Sequence, residues 1–202
     1  MRDGGKLAAA IAVLDDMETR HVPAHMALKA WGEHSRFAGA KDRAFVAGLV
    51  LDVLRRRRSL AWRLGREDNR ARSLAALSTV WGWPLDRIEA ASADEHGPGP
   101  LTDAERTGLI APRDLAEAPH SVRGDYPDWL DDSLQRVFGD RRAEEMHALA
   151  QRAPVDLRVN TLKSDAAAVL KALSALDPEP APLLPGAIRL AAPAAAERAA
   201  PV

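Results

Sequence analysis

The feature that most constrains this sequence is where its apolar period changes. Spacing of three to four residues runs through the first half, and strict alternation sets in only near residue 155. Leu7, Ile11 and Leu14 keep helical spacing, with Arg20 near the end of the stretch. Pro23 suits the first turn of a second helix through Ala27, Leu28 and Trp31, closed at Gly32. A third begins near Lys41 and carries Phe45, Leu49, Val50, Val53 and Leu54. Leu60, Ala61 and Leu64 continue that stripe, with or without a break. Leu74, Leu77 and Trp81 predict a further helix stopped by Gly82, after which Pro84 can open a short one ending near Ala93. Residues 95–100, with Gly97, Pro98, Gly99 and Pro100, read as a loop, and Thr102 followed by Glu105 is a capping-box pattern.

The pattern is irregular over 112–127, which places a domain boundary between 1–118, all helical, and 119–202. In the second part Asp128 can cap a helix carrying Trp129, Leu130, Leu134 and Phe138. Gly139 ends it, and Asp140 can cap another through Met146 and Leu149. Val155, Leu157 and Val159 alternate with Asp156, Arg158 and Asn160, the signature of a half-buried strand. Ser164 and Asp165 open a helix with Val169, Leu170, Leu173 and Leu176. Pro178, Pro180, Pro182 and Pro185 make a stiff connector, and residues 187–190 form a candidate second strand before an Ala/Pro-rich tail at 191–202. The expected fold class is therefore mainly α: a helical bundle followed by a small, incomplete α+β subdomain. Two strands and a helix are too few to stand alone, so the chain reads as cut inside a domain.

Composition narrows the function classes. Apolar residues make up 47% and charged residues 28% of the 202, which fits a globular chain. The absence of Cys removes disulfides, thiolate zinc sites and cysteine nucleophiles together. No run reaches the roughly 18 apolar residues a membrane helix needs, so no membrane partner is expected. Arg2 and Lys6 before residues 7–14 imitate a leader, but Asp3, Asp15 and Asp16 spoil it, and a cytoplasmic location is expected. The five tryptophans, Trp31, Trp62, Trp81, Trp83 and Trp129, are expected to anchor the core or cover small apolar pockets, with stacking on bases as the alternative.

With a formal net charge of −1, any nucleic-acid site must come from local clustering. The cluster is plain: Arg55, Arg56, Arg57 and Arg58 in a row, then Arg63, Arg66, Arg70 and Arg72, against Glu67 and Asp68, a local net of +6. Arginine forks match phosphate, and each phosphate neutralised releases counterions. On one continuous helix Arg57 would fall on the apolar stripe and be structural, with Arg55 and Arg66 opposite it and Arg56, Arg58 and Arg63 flanking it. The alternative is a solvated basic face with no ligand. On the strand, Arg158 and Asn160 share the polar face two positions apart, with Lys163 just beyond.

Other chemistry is thin. His21 and His25 have helical metal spacing, but Pro23 lies between them. Asp131 and Asp132 suit the first turn of a helix, and Glu144, Glu145 and His147 a solvated face. Gly4–Gly5 and Gly97–Gly99 do not follow a strand, as nucleotide loops do. No catalytic or metal residues are expected in this chain.

Tyr126-Pro127-Asp128-Trp129-Leu130 and the later Leu157-Arg158-Val159-Asn160-Thr161-Leu162-Lys163 resemble the RsmB/Sun family of RNA cytosine-5 methyltransferases. Arg43-Ala44-Phe45, entering a helix that runs into the four arginines, resembles the NusB-like domain that precedes that family's N1 subdomain. The resemblance implies an all-helical NusB-like domain, an α+β N1 subdomain that helps bind RNA, and then a Rossmann-like catalytic domain. That domain uses S-adenosylmethionine and two cysteines on cytosine C5 of small-subunit ribosomal RNA. This sequence has neither cysteine nor a D-x-C-A-A-P-G-G-K-T-like loop, so activity and cofactor are implied for a full-length parent only. The expected role is RNA binding through Arg55, Arg56, Arg58, Arg63, Arg66, Arg70, Arg72, Arg158, Asn160 and Lys163. The alternative is a NusB-type protein-interaction or transcription-antitermination module without enzymatic activity.

Overall fold

The computed structural model describes residues 1–192; the expected tail from 193 onward lies outside the described residues. The protein is mainly helical, with a small antiparallel sheet near its C-terminal end. It divides into a compact unit over 1–151 and a second beginning at Arg152. The pattern change at 118/119 falls inside the first unit, because the segment after it is bonded to the preceding helices, as described below.

The first unit contains α1 (Asp3–Arg20), α2 (Ala24–His34), α3 (Ala40–Arg55), α4 (Arg57–Leu64), α5 (Asn69–Thr79), α6 (Leu85–Ala93), α7 (Asp103–Ile110), α8 (His120–Arg123), α9 (Asp131–Phe138) and α10 (Arg142–Leu149). The core takes Leu7 and Leu14 of α1 and Phe45, Leu49, Val50 and Val53 of α3 from the stripes legible in the sequence, and adds Val13 of α1, Val46 of α3 and Ile88 of α6. At its centre lies α5, in which Ala71, Leu74, Ala75, Ala76 and Leu77 are each 0% exposed. A helix buried on all sides needs small residues where its neighbours approach, and alanine also has the highest helix propensity. Its polar groups are bonded locally: Ser73 Oγ donates to the Asn69 carbonyl at 2.7 Å, and the Asn69 amide donates to Asp15 of α1 at 2.9 Å. Phe45, Trp81 and Trp83 form an aromatic cluster, with Phe45 and Trp81 edge to face at 4.7 Å between centroids.

Several local expectations hold. Thr102 and Glu105 form the reciprocal capping box of α7, and Pro84 opens α6. Others fail for stated reasons. The stripe through α3 and α4 is interrupted at Arg56, whose backbone leaves the helical region (φ −126°, ψ 32°), so the four arginines do not share one helix. Asp128 does not cap α9; its carboxylate instead accepts from Arg58 and Ser121. Asp140 is 97% exposed in the short turn between α9 and α10 and caps nothing. Trp129 is no core anchor, being 77% exposed. His21 lies in the left-handed turn that closes α1, which separates it from His25 in α2.

The second unit is a three-stranded antiparallel sheet in the order β1 (Val155–Arg158), β3 (Ala187–Leu190), β2 (Glu179–Pro180), with α11 (Ala166–Ala172) against β3. Ile188 and Leu190 of β3 are buried, as expected of the middle strand. Asp156 and Arg189 stand directly opposite each other and form a two-pronged ion pair at 2.7 and 2.8 Å, which holds the register. The proline connector hides β2: Pro180 lacks an amide donor but is tolerated on an edge. Among the described residues no helix is long and apolar enough to cross a membrane.

Because α5 packs against neighbours all round, Leu74→Ala leaves a cavity that no solvent-facing group can relax to fill. It is expected to cost about 2–5 kcal/mol of unfolding free energy, measured by denaturant titration.

Candidate nucleic-acid interface

Folding brings carboxylates to most members of the arginine cluster. Arg55 and Arg56 approach the buried Asp52 one turn earlier at 3.3 and 3.6 Å, and Arg56 also donates to Gln151 at 3.0 Å. Asp52 further accepts from the Trp81 indole at 2.9 Å. Arg57 pairs with Glu18 of α1 at 2.5 Å, and its side chain is half exposed rather than buried. Arg66 pairs with Asp68 at 2.8 Å.

Three members expected to grip phosphate have partners within the protein. Arg58 donates to the Tyr126 carbonyl at 2.6 Å and to Asp128 at 2.7 Å. Arg70 is engaged on every side, by Glu105 and by the carbonyls of Pro98, Gly99 and Pro100. Arg72 is 94% buried within α5 and donates to Asn69 and Glu18. The local net of +6 thus meets Glu18, Asp52, Glu105, Asp125 and Asp128, five carboxylates from elsewhere in the chain. A uniformly basic face is therefore absent. Sequence proximity could not reveal this, because every one of those acids except Asp52 is distant along the chain. Among the described residues Arg63 has no ion pair.

The start of α4 is anchored by a polar group from far along the chain. The Asp125 carboxylate accepts from the Arg58 and Ser59 backbone amides at 2.9 and 2.8 Å and from the Ser59 hydroxyl at 2.6 Å. It does for α4 what a capping side chain does, but from a remote part of the chain. Burial pushes the Asp125 carboxyl above the usual range, although the Ser59 donors oppose that shift. Asp125 takes a left-handed backbone, φ 55°, at the turn into Tyr126. Tyr126 is 1% exposed and donates its hydroxyl to Asp131 at 2.6 Å, and Arg142 of α10 reaches the same oxygen at 2.8 Å. The hydrogen bond from Arg142, then that from Tyr126, holds the Asp131 carboxyl below the usual range.

In the second unit β1 ends at Arg158, and Asn160 does not continue it. The Asn160 side-chain oxygen accepts from the Leu162 amide at 3.1 Å, and its carbonyl accepts from the Lys163 and Ser164 amides. Asn160 is therefore the anchor of a tight turn, a role its residue type favours. Arg158 and Lys163 are exposed and have no ion pair among the described residues. Leu162, at the tip, is 95% exposed. Among the described residues no group of three His, Asp or Glu is placed to hold a metal.

Two outcomes test this geometry. Arg58→Ala is expected to cost about 1–3 kcal/mol by stranding the Tyr126 carbonyl and Asp128, while Arg55→Ala stays within about 0.5 kcal/mol, both read by thermal unfolding. Burial and the Asp131 hydrogen bond push the Tyr126 phenol up to about 12. It favours the folded state fully below about pH 10, and that contribution is lost as pH rises from about 10 through the folded value. Tyr126 is the sole tyrosine, so alkaline tyrosinate absorbance reports it alone and should appear together with unfolding.

No curated protein matches the chain. Residues 126–197, starting at the tyrosine that follows the Asp125 turn, match the family model described as Methyltr_RsmF/B-like, ferredoxin-like domain. The C-terminal part of this chain is thus similar to the ferredoxin-like domain of the RsmF/B-like methyltransferases.

Proposed function

We propose that this chain is an RNA-holding region of a ribosomal RNA cytosine-C5 methyltransferase, and that it has no enzymatic activity by itself. The observation that carries this reading is the match over 126–197 to a methyltransferase-associated domain. Arg158 and Lys163, exposed and without carboxylate partners among the described residues, flank the turn after β1 inside that matched segment. Cations of this kind contact phosphate and set position rather than read sequence. The preceding helices serve as the NusB-like domain, and small-subunit ribosomal RNA is the substrate class. The methyl transfer, with S-adenosylmethionine as donor, is assigned to a separate catalytic domain of the parent protein in the cytoplasm.

A second reading has its own observation. Trp129 is 77% and Val137 73% exposed on and beside α9, apolar area of the kind that protein partners cover. In that reading the helical unit is a NusB-type protein-interaction or antitermination module.

The two are separated by titrating the purified chain with small-subunit ribosomal RNA fragments over a range of salt. RNA holding predicts weak affinity that falls linearly with the logarithm of salt, and the pair Arg158→Gln with Lys163→Gln should lower that slope by about two. Absence of RNA binding at low salt, together with a protein pull-down that survives ribonuclease, gives the second reading.

A further inference from the structure

Not all of the positive charge in the first unit is neutralised. A cleft of about 410 Å³ opens beside α4 and is lined by Arg57, Trp62, Gly65, Arg72 and Arg113, with Glu67 among the lining acids. Arg57 and Arg72 share a single carboxylate oxygen, that of Glu18, at 2.5 and 3.4 Å. Two guanidiniums on one carboxylate leave a positive charge over. Arg72 is 94% buried, and its Nε has no acceptor among the described residues. Burial, then the nearby Arg57 charge, draws the Arg72 guanidinium below its ordinary value, against the opposing pull of Glu18, Glu67 and Asp68.

Arg113 adds a third cation. It is exposed and has no ion pair among the described residues, yet its backbone is fixed, its amide donating to the Arg63 carbonyl at 3.0 Å. Its guanidinium carbon lies 2.9 Å from where a Cβ on Gly65 would stand, so the guanidinium packs directly over the bare glycine backbone. Gly65 also closes α4 in the left-handed conformation, φ 65°, which glycine adopts without strain. The Trp62 ring beside them is fastened by its indole N–H to the Asp114 carbonyl at 3.0 Å. The cleft therefore combines three arginine side chains, two of them paired to Glu18, with an orphaned buried N–H donor and an aromatic wall.

We propose that this cleft binds a phosphate group of single-stranded RNA, held by Arg113, Arg72 and Arg57 beside Trp62. The inference rests on the reading that the chain holds RNA, and it moves the phosphate site from the four consecutive arginines to residues that only tertiary structure assembles. Forks of this geometry donate paired hydrogen bonds to an oxyanion, and an aromatic wall is sequence-tolerant toward bases.

The test uses the whole chain with a short single-stranded RNA at low salt. Arg113 makes no internal ion pair, so Arg113→Gln keeps the melting temperature. It is expected to weaken RNA binding about fivefold to tenfold and to lower the salt slope by about one, while Arg36→Gln on the exposed turn after α2 changes neither. If Arg113→Gln binds like Arg36→Gln, the cleft is not the phosphate site, although RNA holding stands. If the unaltered chain binds no RNA, RNA holding fails, and a second arm judges the cleft alone: modification of Arg113 by phenylglyoxal, mapped by mass spectrometry, with inorganic phosphate as the probe. Phosphate that protects Arg113 but not Arg36 shows an anion site independent of RNA; equal modification of both overturns the proposal.

Discussion

A carboxylate from Asp125, inserted at the first turn of α4, holds together much of what is distinctive in the first unit. The helix break at Arg56 leaves the α4 amides of Arg58 and Ser59 without intrahelical acceptors. Asp125 satisfies both from a position well over sixty residues later. An unsatisfied buried donor costs about 1–3 kcal/mol, so the break and the remote aspartate must be present together. The left-handed turn at Asp125 then aims Tyr126 inward, and Tyr126, Asp131 and Arg142 carry the same polar chain into α9 and α10.

This arrangement changes what the arginine cluster means. Arginines crowded in sequence raise one another's energy unless acids or phosphates come near. In this protein the acids come from α1, α3, α7 and the segment after α8. Most of the cluster thereby becomes internal fastening: Arg70 gathers the loop at 98–100 onto α5, and Arg58 ties α4 to the chain at Tyr126 and Asp128. What remains for an external anion is small and localised, in a cleft where one glutamate serves two arginines and a third arginine has no partner among the described residues.

The boundary seen by family resemblance and the boundary seen by packing do not coincide. The match begins at 126, whereas the compact units divide after Gln151. Packing follows burial and hydrogen bonds, and α9 and α10 are joined to α8 and α4 through the Tyr126 and Asp128 bonds. Of the apolar positions that the sequence reading placed on the α9 helix, Leu130, Leu134 and Phe138 are half-buried, whereas Trp129, just before α9, is 77% exposed.

Local periodicity determined a great deal by itself. Helical stripes, the Thr102–Glu105 capping box, the Pro84 helix start, the alternating strand at 155–158 and the mainly helical class with a small sheet were all readable, because each depends on residues within a turn or two. The motifs around Tyr126 and Arg158 pointed to the methyltransferase family for the same reason: they are short, contiguous strings. Only tertiary structure decided which charges are free. Whether Arg72 is buried, whether Arg58 faces water or Asp128, and whether Arg113 lies over Gly65 depend on residues 50 or more positions apart, or on a glycine lacking one carbon atom. Electrostatic pairing acts through space at a few ångströms, and the order of residues along a chain does not state which of them will come that close.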